Sequence, residues 1–228
     1  LRLELIGKSL SREKVVNDQS ICLLNLIPKM SIHQFPIFLF SYNDNVLIWI
    51  YSKGNKFARL PCKIHLSSGN YNLLELAGAF FCEGFKSRKE NKHLDRFSFS
   101  NADILQVKWF VEACQSLLKI EKNEWKIQIL YPKEDTDRII SYWSSFGLLK
   151  ENLKVVKNIT TNDNYGVCIL NIYNSSLAES FYYLAKECQR LSLLNQNYAI
   201  VFLRGISRGD LGIGKASRNV VSFTTESK

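Results

Sequence analysis

Apolar and polar positions along the chain fall into short runs separated by Asn, Asp, Gly and Ser, and the period of each run predicts its element. Near the start, Ser11 to Leu26 reads as a short helix. Two apolar runs follow, Pro36 to Ser41 and Val46 to Tyr51, and the Asn43, Asp44 and Asn45 between them predict a β-hairpin, with another turn at Ser52 to Lys56. Tyr71 to Cys82 is apolar and rich in small residues, which at this length suits a buried helix. Two strands come next, Phe85 to Lys89 and Leu94 to Ser100. A helix capped by Ser100 or Asn101 then runs to Leu118, with Ile104, Val107, Val111, Cys114 and Leu118 at helical spacing. Trp125 to Tyr131 reads as a strand and Asp135 to Phe146 as a helix closed near Gly147. Leu153 to Ile159 and Val167 to Tyr173 read as strands that pair with each other around a turn at Thr161 to Asn164. Helices from Ser175 or Ser176 to Leu194 and from Ala199 to Asp210 precede a strand at Asn219 to Thr225. The class is α+β with antiparallel hairpins.

The chain has 228 residues, of which 46% are hydrophobic and 12% aromatic, enough for a proper core and outside the range of collagen-like or disordered chains. Its six cysteines, Cys22, Cys62, Cys82, Cys114, Cys168 and Cys188, show no CxxC pair, and its three histidines show no zinc-ligand spacing, so buried free thiols are expected rather than a disulfide framework or a zinc site. The longest apolar candidate for a membrane span, Phe35 to Tyr51, is broken by Ser41, Asn43, Asp44 and Asn45, and no run reaches the roughly 18 residues required. A soluble protein of a reducing compartment is expected, cytoplasmic and nucleoid-associated or organellar, and not secreted. The net charge of +9 biases it toward polyanions without identifying one.

Two segments carry the candidate chemistry. Leu76-Ala77-Gly78-Ala79-Phe80-Phe81-Cys82-Glu83-Gly84 has small residues at Gly78 and Cys82, one helical turn apart, and an acid directly behind them. Phe202-Leu203-Arg204-Gly205-Ile206-Ser207-Arg208-Gly209-Asp210 repeats the arrangement with Gly205, Gly209 and Asp210. One such helix usually means only packing, but two copies with the acid in the same phase would let two helix backbones meet and bring Glu83 and Asp210 together at the end of the contact. Paired carboxylates repel unless protonated or neutralised, and a divalent cation is their natural partner.

With these motifs the chain resembles the LAGLIDADG homing endonucleases, most clearly in LAGAFFCEG and less in FLRGISRGD. The resemblance implies two motif helices side by side, each ending in a catalytic acid above DNA, and each followed by an αββαββα unit whose saddle-shaped sheet lies in the major groove. It thus implies residues 1–70 as an N-terminal α and β-hairpin region, 71–194 as a first unit with an insertion at Asp135 to Phe146, and 195–228 as the second motif with the start of another unit. Glu83 and Asp210 become the catalytic acids and, with Gly84, the ligands of Mg²⁺ or Mn²⁺. Gly78, Cys82, Gly205 and Gly209 become the helix interface. Departures are Leu211 where the second motif has Gly, and Arg204 and Arg208 at small or apolar positions. Only residues 211–228 follow Asp210, too few for a second complete unit, so a truncated, incompletely represented or diverged member is expected; the assembly expected is a monomer with pseudo-twofold symmetry, or a dimer where the second unit is incomplete.

Strand alternation sets Phe85, Phe97 and Phe99 on one face of the hairpin and Lys86, Arg88, Arg96 and Ser98 on the other. The resemblance makes the second face the one that meets phosphate and base edges, with Lys215 and Arg218 in the matching part after the second motif. Trp49, Trp109, Trp125 and Trp143 are expected in the core, His93, bordering the basic hairpin, either against phosphate or in a surface turn, and Glu121 to Lys126 in a solvated connection. The expected function is hydrolysis of duplex DNA. The alternatives are a DNA-binding regulator or intron-RNA maturase that keeps the fold without cleavage, and a basic interaction domain whose two motifs are packing helices only.

Overall fold

The computed structural model describes residues 16–17, 20–51, 56–83, 95–131, 135–145, 147, 152–157 and 164–210, with only the main chain at 16, 17, 209 and 210. The fold is mixed α and β. In place of the helix expected at Ser11 to Leu26, the described part of that stretch forms β1 (Val16–Asn17), β2 (Ser20–Cys22) and a single turn of helix, α1 (Leu23–Leu26). The main-chain donor of Leu23 goes to the Cys62 carbonyl at 2.9 Å, and β2 pairs with β6 (Lys63–His65), so a tertiary strand partner overrides the local helical period. The expected hairpin is present as β3 (Ile37–Tyr42) and β4 (Asn45–Ile50), and β5 (Ala58–Pro61) extends it to three antiparallel strands.

A short pair, β7 (Ser67–Ser68) and β8 (Tyr71–Asn72), leads into α2 (Leu73–Glu83). The Asn72 side chain accepts from the Leu74 amide at 2.9 Å and so closes the helix start. A helix apolar on every side must be covered on every side, and α2 is buried from Leu73 through Phe80. One side meets the main sheet and the helices that lie on it, α3 (Ile104–Leu118) and α5 (Ser175–Leu194), and the other meets α6 (Gln196–Asp210).

The main sheet has the order β11 (Leu153–Lys157), β10 (Lys126–Tyr131), β12 (Val167–Ile172), β9 (Phe97–Asn101). The expected pairing of the strands at 153 and 167 does not occur. β10 lies between them, parallel to β11 and antiparallel to β12, and satisfies both edges at once. Between β10 and β11 comes α4 (Thr136–Ser144), the helix expected as an insertion. The caps also differ from expectation. Asp103, not Ser100 or Asn101, accepts from the Leu105 amide at 2.8 Å to open α3, and Asn174, not Ser175 or Ser176, accepts from Leu177 at 3.1 Å to open α5.

Phe97, Phe99, Phe110, Trp125 and Phe181 interlock between the sheet and its helices, with Phe99 stacked on Phe110 at 4.0 Å between ring centres. This apolar core runs without a break from Ile21 to Phe202, crossing both of the divisions expected near 70 and 194. Trp125 and Trp143 are fully buried, but Trp49 and Trp109 are only half-buried, which corrects their expected core placement. Cys82, Cys114, Cys168 and Cys188 are buried free thiols, whereas Cys22 and Cys62 are only partly covered. Among the described residues no helix is long and apolar enough to cross a membrane.

Candidate functional site

The two small-residue segments lie on α2 and α6, which pack against each other directly along their backbones. A Cβ added at Gly78 would run into the Phe202 carbonyl oxygen and come within 3.1 Å of the Gly205 Cα. One added at Gly205 would run into the Glu75 carbonyl oxygen and lie 2.9 Å from the Glu75 Cα. Only hydrogen side chains fit here, and the obstacle in each case is main chain rather than a side chain that could turn away.

The contacts come in exchange-related pairs. Aligning the motifs equates Glu75, Gly78 and Phe81 with Phe202, Gly205 and Arg208. Gly78 against the Phe202 carbonyl then corresponds to Gly205 against the Glu75 carbonyl. Phe81 against Phe202, with ring centres 5.9 Å apart, corresponds to Arg208 against Glu75, whose Nε donates to Oε1 at 2.6 Å. The same swap maps each contact onto its mate, so a local twofold axis relates the two helices.

The direction of the helices follows from the flanks on which these pairs lie. At 3.6 residues per turn, positions three before and three after Gly78 fall on opposite flanks of α2. A parallel pair sets Glu75 beside Arg208 on one flank and Phe81 beside Phe202 on the other, whereas an antiparallel pair would set Glu75 with Phe202 and Phe81 with Arg208. The observed partners are those of the parallel pair. Arg208 and Phe81 reach back toward the start of their own helices, as helical side chains do. Glu83 and Asp210, the last residues of α2 and α6, therefore end at the same side of the pair.

The Glu83 side chain is half-buried, and the Ser100 hydroxyl donates to its main-chain oxygen at 3.3 Å and reaches a carboxylate oxygen at 3.5 Å. Ser100 belongs to β9, so Glu83 stands at the rim of the main sheet. The Asp210 and Gly209 side positions, Gly84, Lys86, Arg88, His93, Lys215, Arg218 and the strand expected at Asn219 to Thr225 lie outside what is described. Cys82 is buried one turn beyond Gly78, as the motif expects. Among the described residues no group of three or more His, Cys, Asp and Glu side chains is assembled into a metal cage.

The two motif arginines have different fates. Arg204 is exposed. Arg208 turns inward, pairs with the buried Glu75, donates from Nη1 to the Gln106 amide oxygen at 3.2 Å and lies 4.4 Å from the centre of the Trp109 ring. Sequence reasoning does not find Glu75, because an acid in an apolar run gives no sign of a cation from a distant helix.

On the sheet, the alternation expected for β9 holds on its inner side, where Phe97 and Phe99 are fully buried. On the outer side Arg96 is half-buried, but Ser98 is 7% exposed and sits in register with the equally hidden Asn171, which corrects its placement on a solvated face. The register adds outer-face residues that the motifs do not single out. Lys126 aligns with Asn171, and Gln128 with Ile169 on one side and Lys154 on the other. Lys126 and Lys154 are exposed and share the face of Ser100, on the strands toward the opposite edge of the sheet from β9. Their signal is the alternation Lys126-Ile127-Gln128-Ile129, with both isoleucines inward. No family model matches the chain, and no curated protein or solved structure is significantly similar to it.

Proposed function

We propose that the chain is a LAGLIDADG-type protein that binds duplex DNA and hydrolyses its phosphodiester bonds with a divalent cation. The observation that carries this reading is the backbone contact of α2 and α6 at Gly78 and Gly205, with exchange-related partners on both flanks and an acid ending each helix at the same side. Small-residue helices that merely pack need no acid in matching phase and no common direction. Two carboxylates brought together at one end of a helix pair would be neutralised by a hard cation with oxygen ligands. Glu83, Asp210 and the Gly84 main chain supply that donor type and would hold Mg²⁺ or Mn²⁺. When bound, the ion polarises the phosphate and lowers the pKa of a coordinated water.

The residues of the chain perform the rest. Ser100 holds the Glu83 side chain toward the rim of the sheet. Lys126, Gln128, Lys154 and Arg96 would supply the face that neutralises phosphates and reads base edges, and Lys86 and Arg88, outside the described residues, are expected to add to it. The Gly contacts fix the spacing of the two acids, since any larger residue would force the helices apart.

The decisive experiment selects a target from a random duplex library and measures nicking with and without Mg²⁺. Glu83→Gln is expected to reduce cleavage to background while leaving affinity in EDTA nearly unchanged, because Gln keeps the volume and loses the charge. Wild-type binding to its own best site without any cut would discard the nuclease and leave a DNA-binding regulator or an intron-RNA maturase.

A further inference from the structure

The sheet of β3, β4 and β5 has an outer face that breaks the usual rule for a half-solvated antiparallel sheet, apolar inward and polar outward. Its inner positions, Val46, Ile48, Ile50, Ala58 and Leu60, are buried. By the pairing of Phe38 with Trp49 and of Phe40 with Leu47, the opposite face is apolar as well. Phe38 stacks on Trp49 at 5.3 Å between ring centres, Tyr51 meets the Trp49 ring edge at 5.6 Å, and Phe57 lies 5.8 Å on the other side. Tyr51 and Phe57 are 60% and 49% exposed. An exposed contiguous patch of this kind marks a binding surface rather than a random distribution of surface residues.

The chemistry around the rings selects the occupant. Arg59 is exposed on the same face, opposite Leu47, and makes no ion pair among the described residues. No Asp or Glu occupies an outward position of the three strands, and Asp44 sits in the turn at the end of the sheet. A cleft of about 450 Å³ opens beside Phe57 and Arg59 and adds Lys119, Asn45 and Asn174. Glu121 and Glu124 also line it and are exposed; the Glu124 carboxylate accepts from the Glu121 amide at 2.9 Å and the Glu121 carboxylate from the Gln115 side-chain amide of α3 at 3.2 Å, neutral donors that leave both charges in place, so the cation that marks the face is Arg59 on the strand itself. Exposed aromatic rings on a sheet, here Tyr51 and Phe57 held by the Trp49 and Phe38 stack, with the Arg59 cation beside them, are what unpaired bases and a phosphate require. Duplex DNA cannot use them, because its base faces are already stacked.

We infer that the outer face of β3–β5, centred on Trp49, Tyr51 and Phe57 with Arg59 at its edge, binds single-stranded nucleic acid by base stacking. This site is independent of the acids on α2 and α6.

The test uses the full chain and a short fluorescent oligothymidylate, followed by anisotropy. Tyr51→Ala and Phe57→Ala, at exposed positions, are each expected to weaken binding between about fivefold and a hundredfold, the range found for loss of one base stack. An abasic oligonucleotide of the same length should bind as weakly as the variants, because it keeps the phosphates and lacks the rings. Tryptophan fluorescence should be partly quenched on binding, the fraction due to the half-buried Trp49, and Glu83→Gln should leave the affinity for the oligothymidylate unchanged. Equal binding of abasic and normal strands, unchanged affinity in both variants with unchanged thermal unfolding, or a concentration-dependent dimer abolished by Phe57→Ala would each overturn the proposal. The last outcome would assign the face to a second copy of the chain.

Discussion

A single methyl group is enough to probe the contact between α2 and α6. Gly205→Ala places a Cβ against the Glu75 main chain, where no rotamer change can relieve it. The helices must separate, and overpacking of this kind costs about 1–3 kcal/mol. The expected outcome is a fall of that size in unfolding free energy by urea titration, and Gly78→Ala should match it because its obstacle is the Phe202 carbonyl. Insensitivity at both positions would mean that the two helices do not touch in solution. Glu75 and Arg208 test the same contact through charge. The Glu75 side chain is 6% exposed and that of Arg208 31%, so the arginine keeps part of its hydration and the pair carries a smaller desolvation cost than a fully buried one. In a double-mutant cycle with Glu75→Gln and Arg208→Met, the coupling energy is expected between about 0.5 and 3 kcal/mol. Arg208→Met alone should cost more than Glu75→Gln alone, since it leaves a carboxylate among apolar neighbours.

At the scale of elements, the question is which strands meet DNA. The sequence pattern points to the hairpin around Lys86, Arg88 and Arg96, and the register of β10 and β11 adds Lys126 and Lys154 on the sheet face that carries Ser100. Removing one cation that neutralises a phosphate lowers the slope of log affinity against log salt by about one unit. Lys126→Ala with Lys154→Ala should therefore reduce the slope by about two, and the Lys86, Arg88 and Arg96 triple variant by about three, when titrated on a selected duplex. A slope unmoved by the first pair would confine binding to the hairpin, and one unmoved by either set would move it off this sheet. The helices are legible in the sequence because their periods are local. The strand order is not, because β10 reads the same whether its neighbour is β11 or β9, and pairing is decided by the register of buried side chains across the sheet.

For the molecule as a whole, the uninterrupted core from Ile21 to Phe202 predicts that the N-terminal sheet and the main sheet unfold together. Thiol labelling of the buried Cys114 and Cys188 and the total tryptophan fluorescence, to which Trp49 contributes from the N-terminal sheet and Trp125 and Trp143 from the rest, should report one denaturant midpoint, whereas a two-step fluorescence transition would mean two independent units. Burial holds those thiols above the ordinary thiol range, so their labelling in the native state should stay slow even at mildly alkaline pH. By itself the sequence determined what depends on neighbours along the chain: the α and β periods, the β3–β4 turn, and the two Gly-to-acid spacings that single out Glu83 and Asp210. Tertiary structure alone decided what depends on distant partners. It turned the stretch around Ser20 into a strand by offering β6, put β10 between β11 and β12, set Trp49 on an outer face, and gave Arg208 a partner in Glu75. The physical reason is that a residue carries its propensity and its charge with it, while its burial, register and electrostatic partner are fixed only when segments far apart in sequence compete for the same surface.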